Sequence, residues 1–148
     1  MGYELIALGN VPKAHQRIGS ITSVGMNVLI QCMGEAGCLD EDSSPPPYVK
    51  TCTRSDESEH EFFRRLQDLS VPFRSFVSKK RGKVPARKFK YNEGWLFSAS
   101  EAGIIGDAMK RWLKGKRKLP DYVDDPDLVR GFTAFCLACA KSHGFRVD

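Results

Sequence analysis

SASEAGIIGDAMKRWLKG, residues 98–115, is the stretch on which the fold class turns. Ser98 followed three residues later by Glu101 is a capping-box pattern, in which each side chain takes a backbone N–H that a helix start leaves unpaired. Ile105, Ala108, Met109 and Trp112 then recur at i, i+3, i+4 and i+7, the spacing of one helical face. Cations in the last turn, up to Lys114, suit the negative end of the helix dipole. The spacing predicts a helix over 99–114.

The same signals recur on either side. In DPDLVRGFTAFCLACAKSHG, residues 125–144, Asp125 is a candidate N-cap and Pro126 sits at the first helical position, where its missing N–H costs nothing. Leu128, Phe132, Phe135, Cys136 and Cys139 predict one apolar face, with Gly144 as the stop. Upstream, Val24, Val28, Leu29, Cys32 and Met33 predict a helix over about 24–36, capped by Thr22 or Ser23 and ended by Gly37. Phe62, Phe63, Leu66 and Leu69 predict another over about 57–69, with Pro72 beyond it.

Strand signals are weaker. Residues 3–8, YELIAL, and 145–147, FRV, are read as short strands that would lie side by side. Asn92-Glu93-Gly94 is read as a turn into Trp95-Leu96-Phe97, and Trp95 and Trp112 as core anchors. The expected fold is therefore mainly α: about four helices with a small marginal β-sheet, in a single compact domain over 1–148. Within it, the proline-, serine- and acid-rich stretch 38–56 is expected to be a linker loop.

Charge is unevenly spread. The chain carries +5 overall, but residues 69–92 hold eight cations and no acid, and the remainder is −3. The cations are Arg74, Lys79, Lys80, Arg81, Lys83, Arg87, Lys88 and Lys90. Gly82 and Pro85 predict a loop, part of it mobile. Phe89 and Tyr91 alternate with Lys88 and Lys90, which predicts a strand leaving it, so 74–91 reads as a basic loop or strand insert. Such a cluster suits an acidic protein surface or a phosphate backbone. For unpaired bases, Phe89 and Tyr91 would be the stacking faces. A solvated loop, or contact with the chain's own acidic runs at 40–42 and 121–127, would use the same residues. The second cluster, 110–118, is read as a helix end and its exit.

No stretch approaches the ~20 apolar residues of a membrane span. The start, MGYELIALGN, lacks the layout of a signal peptide, and Ile6 stands where a myristoylation signal has Ser or Thr. Cys32, Cys38, Cys52, Cys136 and Cys139 are odd in number, which argues for thiols rather than disulfides. A cytoplasmic location is expected.

Catalytic motifs are scarce. Cys136, Cys139 and His143 form C-x-x-C-x-x-x-H and on one helix share a face that could meet a metal, with Cys32, Cys38 or Cys52 as the fourth ligand. The cysteines also fit the apolar stripe with Phe132 and are read as core residues, so no metal is expected. His15 and His60 sit in no recognisable base–nucleophile spacing, and no phosphate-cradling glycine pattern occurs. No cofactor is implied.

The second half resembles a pattern in small bacterial proteins. The matching parts are Asn92-Glu93-Gly94-Trp95, the capped helix of 99–114, and Phe132-x-x-Phe135-Cys136 followed by His143-Gly144-Phe145-Arg146-Val147. The resemblance covers about 55 residues and implies a bacterial or phage origin, with no activity attached. The leading expectation is a non-catalytic interaction protein whose basic face holds an acidic partner protein. A nucleic-acid-binding accessory protein and a small metal-dependent or hydrolytic enzyme are the alternatives.

Overall fold

The computed structural model describes residues 2–46, 58, 61, 71, 73–91 and 94–148. The helix expected over 57–69 lies almost wholly outside them, as does the linker from residue 47 on. In chain order the elements are β1 (Gly2–Ala7), a 3-10 turn (Lys13–His15), β2 (Arg17–Thr22), α1 (Ser23–Ala36), β3 (Leu39–Asp40), β4 (Val84–Pro85), α2 (Arg87–Lys90), β5 (Trp95–Phe97), α3 (Ala99–Lys114), α4 (Pro126–Ala140) and β6 (Phe145–Val147).

The fold is mixed α/β, which corrects the expectation of a mainly α domain with a marginal sheet. Strands β2, β1, β6 and β5 form a four-stranded antiparallel sheet in that order, and β3 and β4 pair in parallel. The sheet supplies much of the core. Register aligns Leu5 with Val147 and Trp95, and Ala7 with Phe145 and Phe97. Leu5, Trp95, Phe97, Phe145 and Val147 are buried. Phe97 and Phe145 stack with ring centroids 4.5 Å apart. Phe135 of α4 meets Phe145 edge-on at 5.3 Å, and Phe89 of α2 lies 4.6 Å from Phe97. Strand and helices are thus joined through aromatic rings.

The helix ends follow the local chemistry. The Thr22 hydroxyl accepts from the Gly25 amide at 3.0 Å, and Gly37 closes α1 at φ 78°. Both halves of the capping box are present: the Glu101 amide donates to Ser98 Oγ and the Ser98 amide to Glu101 Oε1, each at 3.1 Å. The Asp125 carboxylate accepts from the amides of Asp127 and Leu128. Helix α4 ends at Ala140, earlier than the Gly144 stop expected. Gly144 instead carries the chain into β6 at φ 81°, where a β-carbon would fall 1.9 Å from the Phe97 carbonyl oxygen.

The basic insert departs most from expectation. Residues 87–90 form one helical turn rather than a strand, with Lys88 and Phe89 fully buried. Ahead of them, the Val84 amide donates to the Cys38 carbonyl and the Ala86 amide to that of Asp40, both at 2.9 Å. Cys38, Leu39 and Asp40, the first residues of the stretch read as linker, are buried. Trp95 is a core residue as expected, whereas Val24, placed on the apolar face of α1, is 68% exposed. No helix among the described residues is long and apolar enough to cross a membrane.

Candidate functional site

Between buried Phe76 and buried Val84 the chain makes a loop that carries Lys79, Lys80 and Arg81. Its geometry is set by one carboxylate. Asp40 ends β3 with its side chain almost wholly buried. It accepts from the hydroxyls of Ser43 and Ser78, the latter at 2.5 Å, and from the Asp42 amide at 3.0 Å. Lys80 Nζ lies 3.5 Å from Asp40 Oδ1 and 2.7 Å from Asp42 Oδ2. Ser78 Oγ also accepts from the Lys80 amide at 2.9 Å, closing a turn within the loop. On the far side, Lys83 Nζ donates to the Gly37 carbonyl at 2.7 Å, a cation at the negative end of α1. The Ser43 and Ser78 hydroxyls hold the Asp40 carboxyl well below the usual carboxylate range. Hydrogen bonds and attraction from Asp42 push the Lys80 ammonium up.

The other cations of the insert divide by direction. Lys88 Nζ is sealed inside, donating to the Leu96 carbonyl at 2.6 Å and to both Glu101 oxygens at 3.1 and 3.2 Å. It lies 4.8 Å from the Phe97 ring centre. Burial draws its ammonium pKa down, with the Glu101 charge opposing. Lys90 pairs with Glu41 at 2.8 Å, and Arg87 lies over the Tyr91 ring at 5.5 Å. Arg74, Lys79 and Arg81 are exposed, with no ion pair among the described residues.

Of the ten expected binding residues, then, the fold gathers Lys79, Lys80 and Arg81 at one loop tip. It pins Lys83 and Lys90 to the chain's own oxygens and leaves Arg74, Arg87 and Tyr91 outside. Lys88 and Phe89 are removed from any partner, because the helical turn points both into the core. A base cannot stack on Phe89.

The arrangement suits binding better than acid–base chemistry. Asp40 already accepts from two hydroxyls, an amide and an ammonium, so its basicity is low. Lys80 stays protonated. The cleft beside them, about 250 Å³, is lined by Asp40, Asp42, Ser43, Ser44, Val77, Lys79 and Lys80. Cys136, Cys139 and His143 do not converge as a metal site. Helix α4 stops before His143, which is exposed, while both cysteines are fully buried. Burial pushes the Cys38 and Cys139 thiols up to about 11 and raises those of Cys32 and Cys136, leaving neutral thiols at pH 7. Among the described residues no cluster of His, Cys, Asp or Glu could hold a metal ion. Of the two acidic runs offered as an alternative for the insert, Lys80 and Lys90 pair with 40–42, and among the described residues no insert cation pairs with 121–127. The role of Asp40 as the brace is not legible in sequence, since Ser43, Ser78 and Lys80 reach it from both sides of a long intervening stretch.

Comparison of the chain with protein-family models, curated proteins and solved structures finds no match.

Proposed function

We propose that the chain is a non-catalytic binding protein that holds an acidic partner protein through Lys79 and Arg81, on a loop that Lys80 ties to the chain's own carboxylates. The observation that carries this reading is the brace. The loop's Ser78 hydroxyl and Lys80 ammonium are fixed on Asp40 and Asp42, so its outward cations sit on a backbone already ordered before a partner arrives. Preorganisation of that kind lowers the entropy lost on binding. Exposed cations steer an acidic surface by long-range attraction, and salt weakens that attraction.

Fluorescence anisotropy with a labelled Glu-rich peptide and with labelled DNA and RNA tests the reading. Across about 50–200 mM salt the peptide should bind progressively more weakly. Lys79→Ala with Arg81→Ala removes two exposed cations and leaves the brace intact. It should cost about 1–2 kcal/mol, roughly tenfold in affinity. Peptide binding indifferent to both salt and the double variant would sink the proposal. A steep salt slope on nucleic acid alone would replace the protein partner with a phosphate backbone.

A further inference from the structure

We infer that the acidic partner is a second copy of this chain, and that the cationic loop of one copy docks in the groove between β2, α1 and α4 of the next. The inference rests on the reading of the loop as an acid-binding surface. The groove has a volume of about 340 Å³ and an apolar floor made by Ile18, Ile21, Val24, Val28 and Leu128. Its lip carries Asp124 and Asp125. Neither Asp124 nor Asp127, in the first turn of α4, has an ion pair among the described residues.

The loop is the matching surface. Val77 is 60% exposed and leads into the outward cations Lys79 and Arg81. An exposed valine followed by cations thus faces a groove with an exposed valine, Val24, and carboxylates on its rim. The competing acidic run, 40–42, is already engaged inside the chain by Lys80 and Lys90.

Position excludes contact within one copy. The groove lies at the start of α1, through Thr22, Val24 and Gly25. The loop is tied to the other end of the same helix by Lys83 on Gly37. Fourteen residues of helix separate them by about 20 Å. The loop of one copy therefore meets the groove of another, and the same contact builds a chain, a ring or a reciprocal twofold pair.

Sedimentation velocity on the whole chain tests this. The average mass should grow with protein concentration at about 50 mM salt. Association should weaken about tenfold or more by about 500 mM, where surface charges are screened. Two variants carry changes at exposed positions only. Lys79→Glu with Arg81→Glu removes the loop, and Val24→Lys with Asp124→Lys repels it from the groove. Each alone should remain a monomer, and their equimolar mixture should stop at two copies, since one good loop and one good groove remain. A wild-type chain that stays monomeric at every concentration, association that survives in either variant, or a mixture that fails to pair would overturn the inference. Glu-rich peptide binding, measured on the same preparations, separates the two readings. A monomeric wild type that binds peptide through Lys79 and Arg81 loses self-docking alone; one that does neither loses both.

Discussion

Lys88 and Lys80 sit eight residues apart and do opposite things. Lys88 is an ion taken out of water, and Glu101, its partner, is 5% exposed. Removing one member of such a pair strands the other. Lys88→Ala should therefore cost about 3–5 kcal/mol in urea unfolding. Lys88→Met combined with Glu101→Gln should recover most of that loss, because no buried charge is left and Gln still accepts from the Ser98 amide. Asp40 gives a pH prediction. Its folded-state carboxyl titrates below the ordinary value, so its stabilising contribution is present above about pH 4 and is lost as acid protonates the folded form. Asp40→Asn should be less stable than wild type at neutral pH, and the gap should narrow as pH falls below about 4. Unfolding midpoints measured from pH 7 to pH 2 check this; a gap that stays constant contradicts it. Gly144→Ala should lose at least about 1 kcal/mol from its left-handed backbone alone, with the Phe97 carbonyl clash added, visible as a lowered thermal midpoint.

Elements differ in how openly the sequence declares them. Caps are local, so Thr22, Ser98, Asp125 and Gly37 announce the helix limits within four residues of where they act. Ser98→Ala should remove about 1 kcal/mol, read in the same urea titration. The short strands carry no such notice. Strand β2, RIGSIT, has its alternation broken at Ser20, which takes φ 57°, and the register with β1 shifts there. That bulge hides the strand from a period-two search and also spoils it as an edge for a further strand. In 87–90, alternation predicts a strand with Phe89 and Tyr91 on one face and Lys88 and Lys90 on the other. The helical turn instead puts Arg87 and Lys90 together outside, three apart, and Lys88 and Phe89 inside. Counting charge located the basic segment, but direction decided which cations a partner can meet.

At the scale of the whole molecule, pairing between distant residues makes the sheet, and this is what local patterns cannot carry. Helices α1, α3 and α4 are legible in the sequence, and the marginal sheet expected beside them is a principal layer, because β6 lies between β1 and β5 and buries Phe145 and Val147 completely. Phe145→Ala should cost about 3–5 kcal/mol despite falling in a strand of three residues. The central place of β6 also bears on how the protein is made. A ribosome delivers β1 first, yet β1 and β5 gain their shared neighbour only when residue 147 has left the exit tunnel. Until then β1 can pair with β2 alone, and the rows that later cover the aromatic rings lie open to other nascent chains. Closure of this sheet therefore waits until β1 to β5 and all the helices between them have been synthesised, and assistance from holding chaperones would matter most in that interval.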